Sequence, residues 1–535
     1  ITQYDMYTVG EDGVGLTKFD FLGIRNLAIL EDAVRLVREY RGVDVHIEEI
    51  PFDDRPTFAM LARGETEGLF QLNGTNMTSY LKELKPSTVH DINAMVALYR
   101  PGPMHNIPEY IARKQGRSPI TYFHPKAEKF LEKSYGILVY QDDLLFTALE
   151  LAGYNWETVD KFRKAVGKKI PAEMAKQHEI FVAGCQTHSG MTKDEAERIW
   201  NLFEPFQGYG FNKAHAACYG RVAYQTAFMK ANFPAEYMCA VLTAESGDIE
   251  KVAVIIAECA RMGIPVLPPE INTSGKGFTL IKKDSRGADD PKTDQIRFGL
   301  LTIKNLGSNT VDAILAERVA RGVFASLEDL LSRMPSHEMN KKSLEALAKS
   351  GTLDDIAERN QILQNMDSLL EYNREAAKTR ERNQVSLFAA MDNTSPASTL
   401  RLPHAEPASM RDRLTWEKDL LGLYVSGHPM DAYKTEIPKA CSKISTIKSF
   451  RAGMPVTAVG LIAGVKKILT KKGELMMFFQ LEDTTDSIEA VVFPSAMNKY
   501  AKFLEPEACV FIKGKTSERD GSTSILVDQV KKIEA

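Results

Sequence analysis

The chain has 535 residues, and 67 lysines and arginines against 71 aspartates and glutamates give a formal net charge of -4. This length exceeds what one hydrophobic core organises and predicts three or four domains. Because the total charge does not favour nucleic acid, only local basic patches could carry such binding. The six cysteines form no CxxC pair, which favours reduced thiols over a disulfide framework or a zinc ribbon. No apolar run is long enough for a bilayer, so we expect a cytoplasmic protein with no membrane partner.

The segment from Gly13 to Leu27, GVGLTKFDFLGIRNL, alternates apolar and polar residues before its period becomes helical. We interpret it as a strand beside a buried face, followed by an amphipathic helix through Leu36. Asp20 lies in the strand pattern between Phe19 and Phe21. Its carboxylate could cap or pair with a neighbour, or could ligate a metal ion, and the pattern leaves both roles open.

From Arg55 to Tyr237 the apolar spacing is helical almost throughout, with short glycine and proline breaks. Within this region, ALYRPGPM places Arg100 at a helix end, because the two prolines stop the helix there. An arginine at that position interacts favourably with the helix dipole, so a structural role competes with a binding role.

Two basic clusters follow in the same helical region, KFRKAVGKK and GYGFNKAHAACYG. We predict that the first lies on a helix and that the second forms a glycine-flanked loop with Tyr209 and Phe211. A rigid basic helix facing a basic, aromatic loop suits a polyphosphate with a base stacked beside it. A solvated basic face is the alternative. The cations concerned are Lys161, Arg163, Lys164, Lys168, Lys169, Lys213 and His215.

Further along, residues 264–301 are predicted to form a small strand-rich connection, and TIKNLGSNTVDAILAER is predicted to form a helix, a glycine turn and a second helix. The turn at Leu306 and Gly307 would present backbone N–H groups at a helix start, where a DNA phosphate can bind. An ordinary helical hairpin is the alternative.

Residues 380–410 are rich in Ser, Thr, Pro, Asn and Ala, which predicts a linker. One apolar island interrupts it and is typical of a docking peptide, since exposed Leu-Phe needs a partner pocket. This island consists of Gln384, Val385, Ser386, Leu387 and Phe388. After the linker, WEKDLLGLYVSGHPMDAY is predicted to be a helix that ends at Gly427.

From Pro455 to Val530 the period changes to two, and five strands with a helix between the third and fourth give the order of an OB-fold. Basic residues in its first turn suit single-stranded nucleic acid, namely Lys466, Lys467, Lys471 and Lys472. Of Phe478 and Phe479, one must face the core, because neighbouring strand residues point to opposite faces. Only one of them is therefore free to stack on a base.

Taken together and in order, these motifs resemble one family, the bacterial C-family replicative DNA polymerases, that is, the alpha subunit of DNA polymerase III. The resemblance rests on LTKFDFLGIRNL, FQL, ALYRPGPM, SYGILVYQDD, FRKAVGKK, GYGFNKAHAACYG, FPAEYM, IKNLGSNTVDAI, LEALAKSGTLDD, QVSLF, WEKDLLGLYVSGHP and LEDTTDSIEAVVFP. It implies a multidomain α+β protein, with mostly helical fingers and helix-hairpin-helix regions followed by an all-β OB-fold barrel. The implied domains are the end of the palm (1–30), the fingers (31–245), a helix-hairpin-helix and clamp-binding region (246–375), a linker with a clamp-binding peptide (376–412), connecting helices (413–452) and the OB-fold domain (453–535).

The resemblance also implies residue roles. Asp20 matches a catalytic, metal-binding aspartate of the palm, and Lys18 a basic residue near the triphosphate. The fingers would bind nucleotide and DNA through Arg100, Arg163, Lys164, Lys168, Lys169, Lys213 and His215. Duplex backbone would be held by the hairpin residues Ile303, Lys304, Leu306 and Gly307, the sliding clamp by Gln384 to Phe388, and single-stranded template near Lys466, Lys467, Lys471 and Lys472.

The activity implied by the resemblance is that of a DNA-directed DNA polymerase, which extends a primer from dNTPs with two Mg²⁺ ions. The implied partners are primer-template DNA, dNTPs, a sliding clamp, a proofreading exonuclease and clamp-loader subunits. The chain begins with Ile, and the family's other two metal aspartates lie upstream, so we expect a fragment that is inactive alone. Two alternatives are a non-catalytic DNA-binding scaffold tethered to the clamp and an RNA-processing factor with an OB domain.

Overall fold

The structure is a computed structural model that describes residues 4–10, 13–17, 19, 21, 23–168, 171–203, 211–282, 294–381, 400, 402–433, 441–469, 473–519 and 522–533. The chain divides into two compact units, Ile1–Val266 with Gly277–Gly299, and Leu267–Lys276 with Leu300–Ala535. Across these described ranges, no helix is long and apolar enough to cross a membrane.

The first unit is almost entirely helical, as the spacing predicts. Its helices are α1 (Met6–Val9), α2 (Arg25–Arg41), α3 (Arg55–Arg63), α4 (Thr75–Leu84), α5 (Val89–Leu98), α6 (Ile107–Lys114), α7 (Glu128–Leu131), α8 (Gln141–Ala152), α9 (Trp156–Lys168), α10 (Pro171–Ser189), α11 (Lys193–Asn201), α12 (Lys213–Asn232), α13 (Pro234–Glu245) and α14 (Ile249–Arg261). Side-chain caps fix several starts; Thr88, for example, accepts from the Asp91 backbone N–H, and Asp91 bonds back to the Thr88 N–H.

A small sheet completes this part of the chain, as predicted for residues 264–301. It contains β1 (Val266–Leu267), β2 (Thr279–Ile281) and β3 (Gln295–Arg297) in the order β1-β3-β2. Strands β2 and β3 pair antiparallel, with Leu280 opposite Ile296. Both of these residues are buried.

The strand predicted around Phe19 and Phe21 is wrong for the residues described there. Residues 13–17, 19, 21, 23 and 24 contain no strand, and Phe19 and Phe21 are 75% and 98% exposed. A strand needs a neighbouring strand to receive its backbone hydrogen bonds, and the described residues provide none at this place. The helix that follows is confirmed as α2, and it ends at Gly42 in the left-handed conformation.

The second unit combines helices with a barrel. Its helices are α15 (Ser308–Arg321), α16 (Leu327–Arg333), α17 (Lys341–Lys349), α18 (Arg359–Gln364), α19 (Met366–Glu381), α20 (Met410–Leu421), α21 (Ile444–Ile447) and α22 (Pro494–Tyr500). Two predictions need correction. The helix expected before the glycine turn is a single 3-10 turn, Leu300–Thr302, and α20 stops at Gly422 rather than Gly427 because Gly422 takes a φ of 80° as its C-cap.

The predicted OB-fold is confirmed. Strands β4 (Pro455–Leu469), β5 (Leu475–Glu482), β6 (Ser487–Val492), β7 (Cys509–Arg519) and β8 (Ser522–Lys532) close a barrel in the order β4-β5-β6-β8-β7. Helix α22 lies between the third and fourth strands of this barrel, as the sequence predicts. The alternating inward residues form its core, which includes Phe479 and Leu481.

Candidate nucleic-acid interface

The candidate site of the first unit lies where the end of α5 meets the starts of α8 and α12. A glycine allows α12 to pack closely on α5. Helix α12 packs on α5 with Gly220 against Asn93, so closely that a Cβ on Gly220 would overlap the Asn93 side-chain oxygen. Arg100, two residues beyond the end of α5, meets Phe211, two residues before the start of α12. The two helices therefore run in opposite directions, and the end of α5 lies beside the start of α12.

Arg100 has two described interactions at this junction. Its Nε donates to the carbonyl of Ala97 at 3.0 Å, which satisfies one of the acceptors at the C-terminal end of α5. Its guanidinium lies 4.3 Å from the centroid of the Phe211 ring. Burial lowers the pKa of Arg100. The side chain thus has the helix-end position predicted from RPGP, and it also carries a cation into an aromatic setting.

The start of α8 joins the same junction. The backbone N–H of Gln141 donates to the Phe211 carbonyl at 2.9 Å, and the Asp142 carboxylate accepts from the Lys213 N–H at 2.8 Å. Asn212 accepts from the His215 N–H at 3.0 Å and so caps α12. Two helix N-termini, each with a positive partial charge, consequently lie side by side.

The position of Lys213 and His215 corrects the sequence prediction. They occupy the first turn of α12 and not a loop, because Asp142 and Asn212 accept from two of the N–H groups that start the helix, those of Lys213 and His215. The Lys213 ammonium lies 5.3 Å from the centroid of the Tyr140 ring. The His215 ring lies 5.1 Å from the Phe211 centroid and 4.0 Å from that of Tyr219. Cations and rings therefore alternate along this junction.

Two buried aspartates hold the starts of two helices of this unit: Asp91 lies in the first turn of α5, at the end remote from the junction, and Asp143 lies in the first turn of α8, at the junction itself. Asp91 accepts from the Lys114 ammonium at 2.9 Å, from two backbone N–H groups, and from the hydroxyls of Tyr110 and Tyr135. Asp143 accepts from the N–H groups of Val139 and Tyr140, both at 2.9 Å. Burial raises the pKa of Asp143 to about 6, against the opposing effect of those backbone bonds and of Lys213.

The predicted cations of α9 are placed differently. Arg163 and Lys164 are exposed, and both bind Asp160 on their own helix, at 2.8 Å and 3.2 Å. Lys161 is also exposed. The side chain of Lys168 and all of Lys169 lie outside the described residues, as do Lys18 and Asp20. The structure thus brings together Arg100, Lys213 and His215 within this predicted set.

In the second unit, the glycine turn has two buried anchors and an exposed tip. Ile303 and Leu306 are buried, whereas Lys304 and Gly307 are exposed. Gly307 is the N-cap of α15 and has no side chain to satisfy the first N–H groups of the helix. Those groups have no intrahelical partner in any α-helix, so an anion can receive them.

The barrel settles which phenylalanine faces outward. Phe479 is 2% exposed in the core, and Phe478 points to the outer face, in register with Lys466 on one side and Val491 on the other. Lys466 and Lys467 are exposed, but they lie on β4 and not in the predicted first turn, because β4 continues to Leu469 and both residues pair with β5. Lys471 and Lys472 lie outside the described residues, and so does the predicted clamp peptide from Gln384 to Phe388.

Carboxylates, histidines and cysteines are the side chains that could hold a metal ion. Within the described part of the chain, no group of three or more of them is arranged for one, and these residues do not form a two-metal centre.

Several residues of the junction are not among those that the sequence predicts to form the site. The sequence places Phe211 only in an aromatic loop, and it assigns no site role to Asp142 or Asp143. A signal for the aspartates exists, because an Asp pair after YGILVYQ is typical of the first turn of a helix. No sequence pattern relates Asp142 to Lys213, since 71 residues separate them.

The fold and these sites define a class. A helical unit with cations and rings at converging helix ends, a hairpin with exposed helix N–H groups and an OB barrel are typical of multidomain nucleic-acid-binding proteins. Comparison with known families agrees. Residues 26–189 match the bacterial DNA polymerase III alpha subunit finger domain, 263–362 the helix-hairpin-helix motif and 456–533 the OB-fold nucleic acid binding domain.

Relatives extend the match to nearly the whole chain. DNA polymerase III subunit alpha of Thermus aquaticus is 41% identical over 508 residues, covering 93% of this chain and 40% of the relative. The Deinococcus radiodurans subunit is 37% identical over 559 residues (100% and 40%), and that of Pseudomonas aeruginosa 36% over 552 (98% and 46%). The predicted resemblance is confirmed: the chain is related to the bacterial DNA polymerase III alpha subunits and contains their finger domain. It spans less than half the length of these relatives.

Proposed function

We propose that the chain is the part of a bacterial replicative DNA polymerase that supplies its fingers, its helix-hairpin-helix and its OB domain. The parent enzyme extends a primer on a template from dNTPs. The observation that carries this proposal is the finger-domain match over residues 26–189, which begins in α2 and includes Arg100 and Asp142 of the junction described above. The proposal requires partners, namely primer-template DNA and dNTPs.

We call the place where Arg100, Phe211 and Lys213 meet the finger junction. In this proposal, the finger junction binds phosphate groups. Arg100 and Lys213 bring two cations to the junction, where the Asp142 carboxylate already accepts from the Lys213 N–H, so the two side-chain cations rather than the helix N–H groups are available to a phosphate. Phe211 and His215 add ring faces beside these cations. A nucleotide offers both chemistries, a charged phosphate chain and a flat base, and therefore suits this junction.

The second unit supplies two further contacts to DNA in this proposal. The exposed N–H groups at Gly307 and Ser308, with Lys304 beside them, hold a duplex phosphate without reading sequence. The outer barrel face, with Phe478 and Lys466, stacks on unpaired template.

The chemistry of the parent enzyme needs Mg²⁺, which would stabilise the attacking and leaving oxygens. Asp20, the one predicted ligand in this chain, lies outside the described residues. In the full-length subunit, we expect Asp20→Asn to abolish primer extension while primer-template affinity stays within a few-fold. Lys168→Ala with Lys169→Ala should raise the KM for nucleotide or lower kcat there.

The finger junction is tested on this chain by the double variant Arg100→Ala with Lys213→Ala. The matched control is Arg35→Ala with Arg38→Ala, which removes two cations from the exposed face of α2. The readout is fluorescence anisotropy of a labelled primer-template at several salt concentrations. Each lost charge-assisted phosphate contact costs on the order of 1.5–3 kcal/mol, so we expect affinity to fall at least tenfold, with a shallower salt dependence. Equal affinities for the junction and control variants would contradict the proposal.

The same proposal includes a sliding clamp as a partner. Leu387 and Phe388 would enter an apolar cleft, each contributing roughly 1.5–3 kcal/mol before ordering costs. We expect micromolar binding of this chain to its cognate clamp by calorimetry. Leu387→Ala with Phe388→Ala should remove that binding and leave the melting curve unchanged; undiminished clamp binding would refute the role of the peptide.

A further inference from the structure

Trp156 begins α9 with its indole largely in solvent. It is 71% exposed, whereas Trp200, in the aromatic core beneath α9, is 8% exposed. The indole contacts Phe146 edge-on, with ring centroids 6.5 Å apart and planes at 83°, and Phe146 in turn contacts Phe130 at 5.9 Å. We call these three rings the aromatic platform. Because the contact is edge-on, most of the indole is uncovered, and an exposed ring of this size is a common mark of a binding surface.

The aromatic platform continues the finger junction. Asp142, which accepts from the Lys213 N–H, and Phe146 are four residues apart on α8. Residues at this spacing share one face of a helix, with Cβ atoms about 5–6 Å apart. Phe146 and the indole on it therefore lie one helical turn from the place where α12 joins α8. A strand that enters the junction can reach the platform with its next nucleotide or two.

Helix α9 adds positive charge beside the platform. Arg163 lies seven residues from Trp156, about 10 Å along the same side of the helix. Arg163 and Lys164 share the single carboxylate of Asp160, so the cluster keeps a net positive charge. The spacing between indole and cations suits a base and the phosphates that follow it.

We propose that Trp156 stacks on an unpaired base of single-stranded DNA, with Arg163 and Lys164 contacting the adjoining phosphates. This inference rests on the proposed function, since it extends the DNA-binding surface of the fingers. The site it assigns is separate from Arg100, Lys213 and His215. Single-stranded DNA fits better than duplex, because only an unpaired base can present a free face to the indole. Single-stranded DNA also fits the positive charge of Arg163 and Lys164, which a purely apolar partner would leave without a contact.

The test uses the intrinsic fluorescence of the full chain, which contains three tryptophans. Addition of a dT12 oligonucleotide should quench the parent. Trp156→Phe should lose that quenching, and the control Trp416→Phe, at a half-buried tryptophan of the second unit, should keep it. In anisotropy titrations with labelled dT12, made in the Phe478→Ala background so that the barrel face does not bind the oligonucleotide, Trp156→Ala should lower affinity about tenfold and Trp156→Phe by no more than about threefold, because a phenyl ring still stacks. Blunt duplex affinity should not change.

A second variant, Arg163→Ala with Lys164→Ala, keeps the indole and should weaken dT12 binding with a shallower salt dependence. If Trp156→Ala binds dT12 as tightly as the parent while Arg100→Ala with Lys213→Ala does not, the platform is wrong and the proposed function stands. Absence of DNA binding by the parent chain would overturn both. Unchanged dT12 affinity with a Trp156-dependent self-association in sedimentation would assign this face to a second copy of the chain.

Discussion

The finger junction and the barrel face present similar groups, a cation beside an aromatic ring, but they assemble them by different means. In the finger junction, Arg100, Tyr140 and Phe211 come from three helix ends that are far apart in sequence. In the barrel, Lys466 and Phe478 are neighbours because β4 and β5 pair in one fixed register. Helix ends must be tied together by polar groups, since their backbone groups have no partners within the helix. Strands are aligned by their ladder, so apolar alternation alone decides which residue faces outward.

The two modes of assembly make the two sites sensitive to different substitutions. The polar ties between the helix ends of the fingers are few and specific, and Asp91, at the start of α5, receives five donors from three parts of the chain. The barrel instead distributes its stability over a continuous apolar core. We therefore expect single polar substitutions to damage the fingers and single apolar truncations to damage the barrel.

The largest effect is expected for Asp91→Ala. Its removal leaves the nearly buried Lys114 ammonium and two backbone N–H groups without their carboxylate, and breaking a buried ion pair costs about 3–5 kcal/mol. Hydrogen exchange of α5 and α6, with the thermal melt of the chain, measures this loss. The control Asp32→Ala removes an exposed ion pair on α2 and should change neither readout measurably. Normal protection of α5 and α6 in Asp91→Ala would show that the packing of these helices does not depend on this tie.

The corresponding change in the barrel is Phe479→Ala. Phe479 lies in the core, and truncating a buried phenylalanine costs about 3–4 kcal/mol through lost burial and a residual cavity. We expect exchange to increase in β4 to β8 but not in α5 or α8. A barrel that keeps its protection, or fingers that lose theirs, would break the contrast between the two regions.

The same contrast explains which features of the fold and of the sites can be predicted from the sequence. Strand alternation and the helix between the third and fourth strands are local signals, and they predict the OB-fold and the single outward phenylalanine correctly. Helical spacing and caps likewise predict the helical unit. The pairings of Arg100 with Phe211 and of Lys213 with Asp142 depend on tertiary packing, and no local pattern contains them. For that reason the sequence suggests a loop at Lys213 where the structure has a helix start, and a strand at Phe19 where the described residues show none.

A third prediction concerns the buried carboxyl of Asp143 and uses pH. Burial raises its pKa from an ordinary value of 3.8 to about 6. Well below pH 3.8 the carboxyl is neutral in folded and unfolded chains, and well above pH 6 it is charged in both, so the folded state bears the cost of burying the charge only at the higher pH. Stability therefore falls as pH rises from about 4 to about 6, by up to about 3 kcal/mol.

Asp143→Asn should remove that slope, because its amide oxygen can still accept from Val139 and Tyr140 while the group stays neutral. Exchange protection of α8 in the variant and the parent should be similar at pH 4 and greater in the variant at pH 8. Comparison at equal pH cancels the intrinsic pH dependence of exchange. The control Asp142→Asn should not reproduce this gain, since Asp142 is half-buried. Equal protection of parent and Asp143→Asn at pH 8 would count against a raised pKa.

The smallest effect is expected for Phe478→Ala on the outer barrel face. This substitution should weaken DNA binding and leave the stability of the barrel unchanged. Phe478 is in register with Lys466, and its ring can receive an unpaired base whose phosphates meet the exposed lysines of β4. Stacking of one base on an aromatic ring is worth about 1–3 kcal/mol, so in the Trp156→Ala background, which removes the proposed finger site, dT12 affinity should fall about tenfold or more. Because the ring lies outside the core, we expect exchange protection of the barrel to stay at the parent level, in contrast to Phe479→Ala. Phe478→Tyr keeps a ring at the same place and should restore binding.

Two results would contradict this account. If Phe478→Ala lowers the exchange protection of the barrel as much as Phe479→Ala does, the outward ring supports the fold and the strand-alternation account of this face is wrong. If Phe478→Ala changes neither exchange protection nor dT12 affinity, single-stranded DNA does not bind this face.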